Sequence, residues 1–153
     1  MERDSDGFFS TISEMFNEKV PFHKLLGLTI QSMDRDRVQV KFSMRDELVG
    51  HYTRGMVHGG VISSIIDVTG GLAAFMDVQE KMADKGLQAK IEKFGRVTTI
   101  DLRVDFLRPG LGSVFTASAF SLRSGSKVAV TRIELKNEKD ELIAVGTGSY
   151  TVG

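Results

Sequence analysis

The chain has 153 residues, enough for one domain with a substantial core and too few for two. Hydrophobic residues make up 41% and charged residues 26%, a globular rather than a disordered composition. Twenty Lys and Arg balance twenty Asp and Glu, which leaves no basic excess for DNA or RNA, and the absence of cysteine excludes disulfides, thiolate metal sites and cysteine nucleophiles.

The first 25 residues carry charges throughout and hold no apolar core of the kind a secretory signal needs, so a cytoplasmic location is expected. From about Ser5 to Lys19, Phe8, Ile12, Met15 and Phe16 recur at helical spacing, which predicts an amphipathic helix within residues 1–20 that stops before Pro21. Leu28 to Met33 and Val38 to Met44 read as short strands around the charged turn Asp34-Arg35-Asp36, and Arg45 to Val57 reads as loop.

Val61 to Met76 is the longest apolar run; it is shorter than the roughly 20 residues of a membrane span and carries Asp67, so no membrane association is expected. It is apolar nearly all round, the mark of a buried helix. Residues 79–96 are charged and broken by Gly86 and Gly95, which predicts a surface excursion with one or two helical turns. Ile100, Leu102, Val104 and Phe106 then alternate with polar residues as a half-buried strand ending at Arg108-Pro109-Gly110. Val114 to Leu122, Lys127 to Lys136 and Leu142 to Val152 follow, separated by turns at Ser124-Gly125 and Asn137 to Asp140. The pattern is α+β: an antiparallel sheet of about five or six strands wrapped around a long central helix, as one domain over residues 1–153.

Chemistry concentrates at the start and middle of that helix. His58-Gly59-Gly60 opens it, where the first amides lack intrahelical partners and face outward at the positive dipole end. Such amides can hold a carbonyl oxygen that gains negative charge, or can simply mark a loop-to-helix junction. Asp67 has no Lys or Arg within a turn on either side, so burial would raise its pKa and mark it as a site candidate. The alternative is a carboxylate bonded to a buried backbone group or sitting at a wet subunit interface. Gly59 and Asp67 stand roughly 12 Å apart along one helix at ~1.5 Å per residue, too far to act on one carbonyl. Two antiparallel copies related by a two-fold axis would bring them together, which makes a homodimer with composite sites a requirement if the two act together.

The segment Gly55-Met56-Val57-His58-Gly59-Gly60-Val61-Ile62, Asp67 nine residues after the histidine, and Thr99-Ile100-Asp101-Leu102-Arg103-Val104-Asp105-Phe106-Leu107-Arg108-Pro109-Gly110 carry a resemblance. So do Lys127-Val128-Ala129-Val130 and the ending Gly148 to Gly153. From about Pro21 onward the chain resembles the hotdog-fold thioesterases of the PaaI type, and among them looks most like the YigI-type acyl-CoA thioesterases. The resemblance implies a hotdog fold, a homotetramer of two dimers, and hydrolysis of medium- to long-chain acyl-CoA. It also implies Asp67 as the catalytic carboxylate, the Gly59 amide as oxyanion donor beside Gly60, His58 supporting the carbonyl or holding the loop, and Thr99 as a hydroxyl that orients water. Several members carry Asn where this chain has Tyr52.

Coenzyme A is part of the substrate and no separate cofactor is expected. Its phosphates need cations, and Arg108, Arg123 and Lys127 are the candidates late in the chain. His23 and His51 read as surface or packing residues, and the three histidines offer no metal-ligand spacing. Ser63 and Ser64 lack a histidine at triad spacing, which disfavours a serine hydrolase. Two rivals remain: a hotdog acyl-CoA hydratase or dehydratase, which would need a histidine near Asp67, and a non-catalytic acyl-CoA-binding protein.

Overall fold

The computed structural model describes residues 7–153. The N-terminal segment is helical from α1 (Phe8–Glu14) through a π-helix (Met15–Lys19), and α2 (Pro21–Leu26) follows at once with Pro21 in its first turn. The expected helix thus ends at Lys19 as anticipated; its first residues, Ser5 and Asp6, lie outside the described residues. Pro21 starts the next helix because its fixed φ suits a first turn and its missing N–H costs nothing there. Gly27 ends α2 at φ 71°, and its amide and that of Leu28 return to the Lys24 and His23 carbonyls.

Six strands form one antiparallel sheet: β1 (Thr29–Met33), β2 (Val38–Ser43), β5 (Thr98–Phe106), β6 (Val114–Ser124), β7 (Val128–Asn137) and β8 (Leu142–Thr151), with β3 and β4 named below. Their spatial order is β1-β2-β6-β7-β8-β5. Burial alternates along β2, β6 and β7, so Val38, Val40, Phe42, Phe115, Ala117, Ala119, Ile133 and Leu135 share the covered face.

The cover is α3 (Gly59–Glu80), 22 residues that place Ile62, Ile65, Ile66, Leu72 and Phe75 in the core. By length and composition this helix could cross a membrane, but most of it is buried inside the fold and it serves as the core helix. It extends beyond the expected apolar run at both ends. Its hydroxyls satisfy themselves on the preceding turn: Ser63 and Ser64 donate to the Gly60 carbonyl and Thr69 to that of Ile65. Close approach of helix to sheet depends on two glycines: a Cβ at Gly70 would overlap the Tyr150 hydroxyl, and one at Gly146 would overlap Ile66.

Two expectations need correction. Residues 45–57 are not a plain loop: a 3-10 turn (Asp46–Leu48) leads into a small hairpin of β3 (Val49–His51) and β4 (Met56–Val57). The Val57 amide donates to the Gly110 carbonyl and the His58 amide to that of Leu48, which fixes the entry to α3. On β5, Leu102 and Val104 pack on the core, but Ile100 and Phe106 are 53% and 56% exposed. The cause is topological: β5 is an edge strand paired only with β8, so alternation along it does not ensure cover. The excursion at 79–96 carries α4 (Leu87–Phe94), of which Ile91 and Phe94 lean on the core.

Candidate active site

At the α3 N-terminus His58 is the cap residue, extended at φ −60° and ψ 136°, and its Nδ1 accepts the Gly60 amide at 2.8 Å. The imidazole therefore takes the role a serine or aspartate usually fills. Gly60 is a candidate substrate-binding residue, and its amide is engaged in this bond. Val61 donates to the His58 carbonyl, which leaves the Gly59 amide as the unpartnered one of the first turn among the described residues. The exposed Phe106 ring lies over Gly59, 3.4 Å from where a Cβ would stand.

Asp67 sits two turns further on and is half-buried, not sealed in the core as its apolar surroundings suggested. Its Oδ1 accepts the Thr99 hydroxyl at 2.8 Å, and its backbone carbonyl accepts the Tyr150 hydroxyl at 2.8 Å. Thr99 and Tyr150 are cross-strand partners on β5 and β8, so one register holds both hydroxyls against one helical residue. Burial first, then the negative charge of Asp67, pushes the Tyr150 phenol well above its ordinary pKa, so the phenol stays protonated and donating.

Asp67 opens onto a pocket of about 160 Å³ whose other lining residues include Val68, Gly71 and Leu72 on α3, Phe16 and His23 at the N-terminal helices, and Phe94 and Val97 around α4. The walls are apolar apart from Asp67, Thr99, His23 and Tyr150, the balance expected of a small-molecule site. His23, read from the sequence as a surface or packing residue, is buried against Phe16 and lines this pocket. Sequence gave no access to Phe16, His23, Leu72 or Phe94 as site residues, because four separate elements carry them. His51 is exposed and pairs with the Thr53 hydroxyl.

The remaining candidates are dispersed. Tyr52 is 90% exposed at the tip of the β3–β4 hairpin. Arg108 donates through Nη1 to the Leu142 carbonyl at the start of β8. Arg123 and Lys127 flank the β6–β7 turn, where Val128 pairs with Thr151 at the other end of β8. The nine residue steps from Leu142 to Thr151 put these ends roughly 30 Å apart at ~3.3 Å per residue. The three cations are therefore not one patch on a single protomer. The described residues hold no cluster of His, Asp or Glu able to bind a metal.

Residues 54–144 match the thioesterase superfamily. The medium/long-chain acyl-CoA thioesterase YigI of Escherichia coli is 39% identical over 145 residues, covering 93% of this chain and 92% of its own. The Salmonella typhimurium protein of that name is 40% identical over the same shares. Among solved structures, a Shewanella oneidensis protein related to the thioesterase superfamily superposes with a TM-score of 0.91 at 41% identity, covering 98% of this chain and 97% of the other. The sheet, the central helix and the matched sequence agree throughout: the chain belongs to the thioesterase superfamily and has its α+β hotdog fold.

Proposed function

We propose that this protein hydrolyses medium- to long-chain acyl-CoA to the free acid and coenzyme A, as one domain over residues 1–153 acting in the cytoplasm. The observation that carries the reading is a carboxylate, Asp67, oriented by the Thr99 hydroxyl at the edge of an apolar pocket of about 160 Å³. The similarity to YigI, named for this activity, supports the substrate class.

Thr99 engages Oδ1 and leaves Oδ2 without a partner among the described residues. That oxygen either takes a proton from water as the water attacks the thioester carbonyl, or attacks the carbonyl itself to form a mixed anhydride that water then cleaves. In both routes the C–S bond breaks, the thiolate leaves and is protonated, and one water is consumed. The tetrahedral oxyanion needs a donor, and the unpartnered Gly59 amide is suited to it. Within one protomer that amide is roughly 12 Å from Asp67 at ~1.5 Å per residue, so it must come from a second copy, in a homodimer that pairs further into a tetramer. The exposed Ile100 and Phe106 on the β5 edge, Phe106 beside Gly59, support burial of this edge between copies.

In this reading Arg123 and Lys127 of one protomer and Arg108 of the other bind the phosphates of coenzyme A, and Tyr52 makes an outer contact. Asp67→Asn should lower thiol release from a panel of acyl-CoA esters at least about a hundredfold, with the melting temperature unchanged. Wild-type turnover in that variant would remove Asp67 from the mechanism. Consumption of an enoyl-CoA without thiol release would instead establish a hydratase, a reading the presence of His23 in the Asp67 pocket favours. Tight acyl-CoA binding without any turnover would establish a binding protein.

A further inference from the structure

His23 takes no part in the hydrolysis assigned to Asp67, yet it lies in the same pocket with only 8% of its surface exposed. Its ring packs on Phe16 with centroids 4.1 Å apart, and Nδ1 stands 2.9 Å from the Phe16 carbonyl oxygen. A carbonyl oxygen only accepts, so Nδ1 carries a proton and donates it. The π-helix explains this need. The donor that would continue the π pattern for Phe16 is residue 21, five positions on, and Pro21 has no N–H. His23 supplies the missing donor from the next helical turn.

Burial holds the His23 pKa below the ordinary imidazole value, and the bond to Phe16 offsets this only in part. The ring is thus neutral at pH 7, with its proton on Nδ1 and a bare lone pair on Nε2. Nε2 has no hydrogen-bond partner among the described residues and is not sealed off. With Nδ1 engaged by the Phe16 carbonyl, Nε2 is the ring nitrogen left to meet a ligand in the pocket that His23 lines.

The protons on the other polar groups of that pocket are already committed. Thr99 donates to the Asp67 carboxylate and Tyr150 to the Asp67 carbonyl. The hydroxyl oxygens of Thr99 and Tyr150 can still accept, but Asp67 Oδ2 and His23 Nε2 are the polar atoms of the pocket with no partner among the described residues, set among Phe16, Val68, Leu72, Phe94 and Val97. Water in the reaction satisfies the carboxylate. A plain alkyl chain filling the pocket would strip Nε2 of solvent and give nothing back, the costly way to bury an acceptor. A ligand hydroxyl corrects this, and sites built around one such bond discriminate strongly against the analogue that lacks it.

We infer that His23 determines acyl specificity: the preferred substrate carries a hydroxyl on its acyl chain, and His23 Nε2 accepts that proton. The inference rests on the thioesterase reading for its substrate class, and its test separates the two. Thiol release would be measured with octanoyl-CoA, 3-hydroxyoctanoyl-CoA and 8-hydroxyoctanoyl-CoA for wild type, His23→Asn and His23→Gln. Asn can place its amide nitrogen where Nδ1 was and keep the bond to Phe16, but has nothing at Nε2. Gln reaches the Nε2 position with an oxygen that accepts.

For wild type, kcat/KM for at least one hydroxylated ester should exceed that for octanoyl-CoA by about tenfold or more. The ratio should collapse toward one in His23→Asn and recover in part in His23→Gln. A wild-type ratio at or below one for both hydroxylated esters overturns the inference. So does an unchanged ratio in His23→Asn, or an equal loss on all three esters, which would assign His23 to water or to the fold. If no ester releases thiol, the thioesterase reading fails by itself. Calorimetric Kd values for the same esters and variants then decide the selectivity by the same ratios.

Discussion

His58 is the residue in which two roles are hardest to separate. Its Nδ1 caps α3 by accepting the Gly60 amide, and by doing so it leaves the Gly59 amide as the free donor of the turn. A histidine cap needs a bare Nδ1, so the ring proton of its neutral form sits on Nε2, on the exposed side of the loop. His58→Ala should cost about 1 kcal/mol of stability, a loss of roughly 2–4 °C in melting temperature for a chain of this size. His58→Asp, which restores an acceptor at the cap, should recover the melting temperature. Thermal melts of the two variants check the cap, and their turnover reports any separate role for the imidazole. Asp67 likewise depends on contacts that spacing cannot reveal: Thr99 lies 32 positions away and Tyr150 lies 83 away.

At the scale of elements, the N-terminal helices are closely tied to the sheet. Asn17 on the π-helix accepts the Ile30 amide of β1, Phe8 stacks on Phe75 of α3, and Phe94 of α4 meets the same Phe75 edge-on. His23 makes the docking of α2 depend on pH. Unfolded, it binds a proton near the ordinary pKa of about 6.5; folded, its lowered pKa keeps it neutral. The unfolded chain therefore holds more protons across this window, so the contribution is complete above about pH 6.5 and is lost as pH falls through the folded value. Asp67 and Tyr150 are the other titratable side chains lining the same pocket. The urea midpoint of wild type should fall between pH 7 and about 5.5, and that of His23→Asn should fall less. Parallel slopes in the two proteins would mean that the imidazole takes up its proton equally in the folded and unfolded states.

At the scale of the whole molecule, the decisive question is whether one protomer holds a complete site. Gly59→Pro probes this, because proline is tolerated in the first turn of a helix and removes the amide proton, its ring meeting Phe106 at ordinary contact distance from Cβ. Gly59→Pro alone should lower kcat roughly a hundredfold or more, the usual effect of losing one oxyanion donor. Mixed after unfolding with Asp67→Asn, it should regain activity. Each mixed dimer then has one site with both native residues and one with neither, so a random mixture should reach about a quarter of wild-type turnover. A mixture as inactive as its parents would place both groups in one protomer or remove Gly59 from the reaction. Sedimentation of the same samples reports the dimer independently.

Local pattern was enough to derive the meander, the buried central helix and the α+β class, because periodicity and turn residues act over a few positions. It was also enough to nominate Asp67 and the His58-Gly59-Gly60 start, since a lone carboxylate in an apolar helix and paired glycines at its entry are local anomalies. Tertiary structure alone decided the rest. It set β5 at an edge, so Ile100 and Phe106 stay uncovered while Leu102 and Val104 between them pack on the core. It separated Arg108 from Arg123 and Lys127, which look like neighbours along the chain but lie at opposite ends of one sheet. It also brought His23 from α2 into the pocket of Asp67. The physical reason is common to all three: strand order and helix docking are set by the burial of one shared core, a sum over the whole chain that no local window contains.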